Sequence, residues 1–273
     1  MMPPSGRATH DDCALAWWRA GTGAPVLFVQ GVGVPGGGWR PQTAALADRC
    51  DCLWFDNRGA GLSVPANRPI TVEQMAGDAL AVMDAAGWPS AHVVGHSLGG
   101  LVAQQMALAD RSRVRSLSLL CTFPGGRFVA PLTARMAWLG MRTRVGTRRM
   151  RQRGFLRLVL PPAMAPDAAI VAEVSALFGH DLADQPPIAA EQLRALRAAD
   201  LTSRLAALTT LPTLIVTAAH DPIAPPSAGR ALADALPGAR YVEVPDASHG
   251  LPITHAALTN RLLFEHIDAS TPR

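Results

Sequence analysis

The chain contains no lysine, so all 25 of its basic residues are arginines, and they stand against 21 Asp and Glu. Acidic residues are missing from one long stretch, because residues 111–166 hold 12 arginines and no Asp or Glu. The rest of the chain holds 13 arginines and all 21 acids, so a segment of formal charge +12 lies within a body of formal charge −8. The net charge of the whole chain is only +4. Because the sequence also lacks a nucleic-acid-binding motif, this charge gives no support to a nucleic-acid partner.

Other absences narrow the class of protein further. The sequence has no apolar run of about 18 residues, and its first residues lack the apolar region of a signal peptide. We therefore expect a cytoplasmic protein without a membrane partner. The four cysteines form neither a CxxC motif nor a zinc-ligand pattern and are predicted to be buried reduced thiols. Without a phosphate loop, metal-ligand cluster or dinucleotide fingerprint, we expect no metal and no cofactor.

The patterns that are present predict a parallel sheet covered by helices. The 273 residues and 49% hydrophobic content fit one large α/β domain and argue against disorder. Short, continuously apolar runs alternate with helical patterns, which is typical of strands buried on both faces. The predicted strands span residues 25–29, 52–55, 91–94, 117–121, 214–217 and 241–244, and the clearest helices span 71–86, 101–109 and 227–236.

One segment interrupts this alternation. Residues 124–205 contain no clear strand but several helical stretches broken by prolines. About 80 residues are too many for a structureless loop in a compact domain. We therefore predict a helical cap at 124–205, inserted into a core domain formed by residues 1–123 and 206–273.

The strongest chemical signal is a G-x-S-x-G motif, Gly95-His96-Ser97-Leu98-Gly99, between a predicted strand and a predicted helix. A very tight strand-to-helix turn exposes the serine and crowds its neighbours, and glycines two residues before and after it relieve that crowding. The following helix directs backbone N–H groups toward developing negative charge. The motif therefore predicts that Ser97 is a nucleophile.

A serine hydroxyl needs a base, and the base needs a group that orients it. His249 follows the last predicted strand and is the leading base; Asp221 follows the strand at 214–217 and is the leading orienter. The order Ser, Asp, His along the chain is the one expected for this arrangement. Asp246 and Asp56 also follow strands, but we interpret the first as a turn former and the second as an anchor of its own loop.

An oxyanion intermediate needs two N–H donors. The backbone N–H of Leu98 is one candidate, and the glycine-rich loop at 30–39 offers Val32 as the best second donor, with Gly33 after it. The same loop could instead be an ordinary flexible surface loop. Side chains that could line a substrate pocket are Gln30, Trp39, Met136, Trp138, Leu139 and Phe155. For the last five, packing in the core is favoured over direct contact with a substrate.

Together these motifs resemble the α/β-hydrolase fold superfamily. The resemblance rests on 95–100, on the turn Asp56-Asn57-Arg58-Gly59-Ala60-Gly61-Leu62-Ser63, on Asp221, and on Asp246-Ala247-Ser248-His249-Gly250. It implies a mostly parallel eight-stranded sheet flanked by helices, with a helical cap inserted after the sixth strand. The sequence looks most like the small bacterial serine esterases, enol-lactonases and cofactor-free haloperoxidase-like members.

Two details refine the resemblance. Family members usually have His-Gly where this chain has Gln30-Gly31, which affects the bracing of the oxyanion loop more than its backbone donors. The strand ending at Cys121 offers no carboxylate, so the alternative acid position of some members is unavailable and the role is left to Asp221.

The leading hypothesis is a serine hydrolase that cleaves a small-molecule carboxylic ester or lactone through an acyl-enzyme, as a monomer or homodimer. The same acyl-serine could serve an acyltransferase or a perhydrolase. A non-catalytic ligand receptor on the same fold is the third alternative. Nine arginines at 127–157 lie within the predicted cap, where they could form a solvated face or, for one or two of them, favour an acidic substrate.

Overall fold

A computed structural model describes residues 3–65, 69–129, 134–164 and 167–271, with the backbone alone at 134 and 135. Within these residues, eight strands form one sheet. The strands are β1 (Gly6–His10), β2 (Cys13–Ala20), β3 (Ala24–Val29), β4 (Cys50–Phe55), β5 (Ala91–His96), β6 (Val114–Leu120), β7 (Thr213–Ala218) and β8 (Arg240–Val244). Their order across the sheet is β1-β2-β4-β3-β5-β6-β7-β8. β1 pairs antiparallel with β2, and β2 pairs antiparallel with β4. The remaining pairs, from β4 through β3 and across the sheet to β8, are parallel.

The α-helices are distributed between the sheet and the predicted insertion. They are α1 (Arg40–Leu46), α2 (Val72–Ala85), α3 (Leu98–Ala109), α4 (Ala134–Arg142), α5 (Arg148–Val159), α6 (Ala168–Phe178), α7 (Ala189–Ala198), α8 (Pro226–Ala235), α9 (Leu251–Thr254) and α10 (Ala256–Ala269). Across the described ranges, no helix combines the length and apolar character needed to cross a membrane.

The sheet is buried on both faces, as its continuously apolar strands predict. On one face Leu27 and Val93 belong to a core cluster that includes α2, α3 and α8. On the other face Phe28 and Val94 belong to a second cluster, with α10 and Trp39. Because successive strand residues point to opposite faces, each central strand supplies both cores.

The first two strands are missing from the six-strand prediction. β1 and β2 form an antiparallel hairpin whose turn, at Asp11 and Asp12, has positive φ at both residues. β1 is an edge strand with one buried residue and no apolar run, whereas β2 opens with six apolar residues, 13–18, that the prediction did not assign to a strand. The total of eight strands, implied by the resemblance, is confirmed.

The helix at 71–86 is confirmed by its ends. Thr71 Oγ1 accepts a hydrogen bond from the Gln74 N–H at 3.1 Å, which is the geometry of an N-cap. Gly87 follows the last turn with φ of 75°, a conformation that glycine adopts without strain. The helix predicted at 101–109 starts earlier, at Leu98, because Gly99 and Gly100 are helical rather than part of a turn.

Helices α4 to α7 all lie between β6 and β7, so the insertion after the sixth strand is helical, as expected. These helices form a third apolar cluster, in which Leu156, Val174 and Phe178 pack with Val34 of the loop after β3. The division of the chain into a core and a cap at 124–205 stays a prediction.

Candidate active site

Ser97 occupies the sharp turn between β5 and α3. Its φ of 54° and ψ of −120° lie outside the regions that non-glycine residues normally adopt. A Cβ at Gly95 would lie 2.3 Å from the Gly99 carbonyl oxygen, and a Cβ at Gly99 would lie 2.1 Å from that of Val29. Both glycines are thus needed for close backbone contact, as the motif predicts.

His249 and Asp221 form a buried hydrogen-bonded pair. His249 Nδ1 donates to Asp221 Oδ2 at 2.7 Å, so Nε2 is the ring nitrogen left to accept a proton. Asp221 Oδ1 accepts the backbone N–H groups of Ile223 at 2.7 Å and Ala224 at 2.8 Å. These two bonds fix the carboxylate, so the pairing oxygen has a defined direction toward the imidazole.

The two other carboxylates considered in the sequence have different surroundings. Asp56 anchors its loop by accepting the N–H groups of Gly36 at 2.7 Å and Leu62 at 2.8 Å, and burial raises its pKa. Asp246 is largely exposed and lies 3.3 Å from Nε2 of His255. Neither carboxylate forms a hydrogen bond with His249, in agreement with the interpretation of both as local structural residues.

Ser97 and His249 both line one cavity of about 710 Å³ between the strand ends and the insertion. The hydroxyl and the imidazole of the predicted nucleophile and base therefore share a solvent-accessible space. Asp221 lies outside the cavity, behind His249, with its side chain fully buried. A serine and an imidazole that share one cavity, with a buried carboxylate on the imidazole, are the parts that nucleophilic catalysis by serine uses.

His96, beside the nucleophile, supports His249 from the sheet. Its ring centroid lies 4.8 Å from that of His249, and its Nε2 lies 2.9 Å from the His249 carbonyl oxygen. Because a carbonyl only accepts, His96 carries its proton on Nε2. Burial, followed by the nearby charge of His249, lowers the pKa of His96 to about 3. The ring therefore stays neutral at physiological pH and adds no second positive charge when His249 is protonated.

Cys121 follows β6 with φ of 45° and lies against the Asp221 carboxylate. Burial, together with the charge and hydrogen bonding of Asp221, raises the pKa of the Cys121 thiol well above its usual value. It therefore remains a neutral thiol beside the carboxylate. All four cysteines are free and buried, as expected from the sequence.

The loop after β3 approaches Ser97 closely. A Cβ at Gly31 would lie 3.3 Å from Cβ of Ser97, which places this backbone directly beside the nucleophile. The Gly31 N–H donates to Oε1 of Gln30 at 2.9 Å, and the Gly33 N–H donates to Oε1 of Gln192 at 2.8 Å. Val32 lies between them, and its N–H has no hydrogen-bond partner among the described residues. Of the two loop donors considered, Gly33 is occupied, and Val32 remains the candidate with Leu98.

Gln30 braces this loop in place of the histidine usual in the family. Its side chain is 5% exposed and folds back on the Gly31 N–H, while its Nε2 packs against Gly38. The Gln30 carbonyl accepts the Asn57 amide at 2.8 Å. The loop is thus held at both the side chain and the backbone of Gln30.

Some of the side chains considered for a substrate pocket line this cavity. Gln30, Trp39, Met136 and Phe155 line the cavity, and Trp39 meets the His96 ring edge-on at 6.5 Å. Trp138 and Leu139, also considered for the pocket, do not line this cavity. Trp138 lies two residues, or about 200°, around α4 from Met136 and is 46% exposed beneath the Arg142 guanidinium. Leu139 is buried outside the cavity.

Three arginines line the cavity: Arg144, Arg194 and Arg197. Of the nine arginines at 127–157, Arg144 alone reaches it among those whose side chains are described. Arg194 and Arg197, one turn apart on α7, lie outside that acid-free stretch and were missed in the sequence. Gln192 was missed as well, although the pattern of α7 held a signal for it, because this polar residue occupies the buried face shared by Ala195 and Leu196.

The described part of the chain contains no group of three His, Cys, Asp or Glu side chains positioned to hold a metal ion. The polar atoms around Ser97 are instead an imidazole, a carboxylate and backbone N–H groups. This set can remove and return a proton and can bind an oxyanion.

Comparisons with known proteins place the chain in a family. The model of the alpha/beta hydrolase family matches residues 26–262. A protein of Azorhizobium caulinodans, provisionally named carbamate hydrolase RutD, is 32% identical over 258 residues, 93% of this chain and 94% of that protein. BpoC of Mycobacterium tuberculosis, provisionally named a non-heme bromoperoxidase, is 32% identical over 86% of this chain and 90% of its own.

The structural comparison agrees. The crystal structure of the enol-lactonase from Burkholderia xenovorans LB400 has a TM-score of 0.82 and 26% sequence identity, with 96% of this chain and 99% of that chain covered. The family model spans most of the chain, and similarity in sequence and in fold extends over nearly all of it. The chain therefore belongs to the alpha/beta hydrolase family.

Proposed function

We propose that this chain hydrolyses a carboxylic ester or a lactone through an acyl-enzyme formed on Ser97. The observation that carries the proposal is the 2.7 Å hydrogen bond between His249 and Asp221, at a cavity that Ser97 also lines. A fixed imidazole that shares a cavity with a serine on a strained turn can activate the hydroxyl as a nucleophile. Relatives and neighbours named as hydrolases add support.

In the acylation step, Ser97 Oγ bonds to the substrate carbonyl carbon while His249 Nε2 takes the hydroxyl proton. The carbonyl electron pair moves to its oxygen, and the N–H groups of Val32 and Leu98 bind that oxyanion. The tetrahedral intermediate collapses, the C–O bond to the alcohol breaks, and His249 returns the proton to the leaving oxygen. In a lactone, the alcohol stays attached to the acyl chain.

In the deacylation step, His249 removes a proton from water, and the resulting hydroxide bonds to the acyl carbon. Collapse of the second intermediate releases the carboxylic acid and returns the proton to Ser97. Asp221 holds the proton-bearing Nδ1 throughout and stabilises the imidazolium, but it does not itself take the proton.

A fluorophosphonate serine probe tests the assignment directly. We expect it to label the wild type at Ser97, as read by peptide mass spectrometry, and to leave Ser97→Ala unlabelled. Ser97→Ala should also lose para-nitrophenyl ester turnover. The control is Ser118→Ala, because Ser118 is equally buried but lies within β6. Full ester turnover by Ser97→Ala would exclude Ser97 as the nucleophile, and an unlabelled wild type would favour a non-catalytic receptor.

A second candidate is hydrolysis of a carbamate, favoured by relatives that are provisionally named carbamate hydrolases. The same steps apply, with a carbamoyl group on Ser97. Turnover of matched aryl esters and aryl carbamates distinguishes the two, because a carbamate-cleaving chain turns over the carbamates continuously. An ester-cleaving chain instead releases one equivalent of aryl alcohol from the carbamate and then stops.

Acyl transfer and perhydrolysis use the same acyl-Ser97 and differ only in the acceptor. Product partitioning with water, peroxide and a primary alcohol in competition separates them. Exclusive formation of the acid is expected for a hydrolase; a preference for peroxide or alcohol over water would replace hydrolysis in the proposal.

A further inference from the structure

The charged side chains that line the cavity are all of one sign. Arg144, Arg194 and Arg197 contribute three guanidinium groups, and no Asp or Glu belongs to the described lining. All three residues are exposed, so they lie where the cavity meets solvent. Arg194 is ion-paired with Glu191, but Arg144 and Arg197 have no ion pair with any described carboxylate. The cavity therefore has a positive rim with two available guanidinium groups.

Two residues of the lining also carry N–H groups without a hydrogen-bond partner among the described residues, the Trp39 indole and the Nε2 amide of Gln185. Both nitrogens are buried beneath the surface of the cavity, so neither faces its open space. The exposed arginines are therefore the charged donors that a ligand in the cavity would meet.

Most of the other side chains that line the cavity are apolar. They include Val34, Phe155, Val159, Leu160, Val174 and Phe178. An apolar wall selects for a hydrocarbon chain and excludes a second charge from the interior. A ligand that matches Ser97, these apolar walls and the arginine rim has an acyl carbonyl at one end, an apolar spacer, and an anionic group at the other.

We propose that the substrate is an ester or lactone whose acyl part is a hydrocarbon chain ending in a free carboxylate, which the arginine rim binds. This inference rests on the proposed function, because it assigns the acyl carbonyl to Ser97. Arg197 and Arg144 bind the carboxylate, since guanidinium and carboxylate form charge-assisted hydrogen bonds. Arg194 adds to the positive potential that draws the anion toward the mouth.

The experiment compares two esters of equal acyl length, para-nitrophenyl hexanoate and mono-para-nitrophenyl adipate. We expect the wild type to show the higher kcat/KM for the adipate ester. The ratio of the two values should fall about threefold in Arg197→Met or Arg144→Met and about tenfold in the double variant. Each variant's hexanoate activity reports whether its fold and chemistry are intact.

Arg149→Met is the matched control. Arg149 lies in the same insertion, is also exposed, and does not line the cavity, so its loss should leave the ratio unchanged. Raising ionic strength from about 0.01 M to about 1 M should lower the adipate rate and leave the hexanoate rate constant, because salt screens exposed charges. Equal rates for the two esters in the wild type, or an equal effect of all three substitutions, would overturn the inference.

A binding measurement separates this inference from the proposed function. Ser97→Ala, titrated by calorimetry with methyl hydrogen adipate and with methyl hexanoate, should bind the adipate ester more tightly, and Arg197→Met should remove that difference. If both esters bind equally, the carboxylate preference is wrong whatever the turnover. If the preference is present but wild-type Ser97 neither labels nor turns over ester, the proposed function is wrong and the anionic ligand class stands.

Discussion

Gln192 of helix α7 accepts the backbone N–H of Gly33 at 2.8 Å and so ties the insertion to the loop beside Ser97. The contact continues through packing, because a Cβ at Gly33, where φ is 71°, would lie 3.4 Å from Ala189 Cβ and 3.5 Å from Pro186 Cδ. The peptide that carries this N–H joins Val32 to Gly33. The direction of the adjacent Val32 N–H, which we propose as the second oxyanion donor, therefore depends on a side chain of the insertion.

Replacing Gln192 with Met removes the acceptor and keeps the volume. We expect kcat for ester hydrolysis to fall about tenfold while KM changes little. A displaced oxyanion donor loses part of the roughly 10²–10³-fold effect of such a group in the transition state. Steady-state kinetics on one ester would separate the two parameters.

Gln192→Glu and Gln105→Met serve as comparisons. Gln192→Glu keeps an oxygen that can accept the Gly33 N–H. The nitrogen that it loses, Nε2 of Gln192, has no hydrogen-bond partner among the described residues, so this variant should retain most of kcat. Gln105 is also a buried glutamine, but it bonds Arg204 away from the loop. If Gln105→Met lowered kcat as much as Gln192→Met, the effect would be general destabilisation rather than positioning.

Asp221→Asn should lower kcat by about 10³–10⁴-fold with little loss of stability. Because Asp221 Oδ1 accepts two backbone N–H groups, the asparagine oxygen would occupy that site and direct its amide N–H₂ at His249. His249 Nδ1 would then accept instead of donate, which places the proton on Nε2 and prevents uptake of the serine proton. Asp246→Asn, at an exposed carboxylate, should be close to wild type in the same assay.

Gly99→Ala should destabilise the protein by about 3 kcal/mol, because the added Cβ would lie 2.1 Å from the Val29 carbonyl oxygen and neither backbone has room to move. Gly37→Ala is the matched control, since a Cβ there has no neighbour within 4 Å, and it should change stability by less than about 0.5 kcal/mol. Urea denaturation monitored by circular dichroism gives both values. Equal midpoints for the two variants would contradict the close packing inferred at Gly99.

Acid should destabilise the fold through His92. Burial, followed by the charges of Arg115 and His266, lowers the pKa of His92 to about 4, so the unfolded chain binds a proton that the folded chain does not. Stability therefore falls as pH decreases from about 6.5 to about 4, and the loss from this residue is about 2 kcal/mol at about pH 5. The free energy of unfolding of His92→Gln, measured at about pH 7 and pH 5, should lack this part of the loss. An identical pH dependence in both proteins would show that the folded state protonates His92 readily.

The positions of Ser97, His249 and Asp221 were predictable because local sequence fixes each of them. Ser97 lies in a motif whose glycines are required by contacts within a few residues, and His249 and Asp221 follow strands that a parallel sheet brings to one edge. The hairpin of β1 and β2 was not predicted from residues. β1 is a short edge strand without an apolar run, and the apolar run at 13–18 in β2 was not recognised as a strand.

The insertion was predictable only as helical. Which face of α4 lines the cavity depends on how the helix packs against the core, and Met136 and Trp138 are equally apolar in sequence. The contact from Gln192 to Gly33 joins residues 159 positions apart, and no local pattern specifies such a pairing. Arg194 and Arg197 were missed because no local pattern shows which face of α7 turns toward the cavity.

Because Gly33 is bonded to Gln192 and packed against Ala189 and Pro186, the insertion is not an exchangeable module. A chimera that receives the cap of another hydrolase would lose the acceptor that orients this loop, even if every residue of the core were retained. Substrate range in this chain can therefore be redesigned only by changing helix α7 and the loop at 31–34 as one unit.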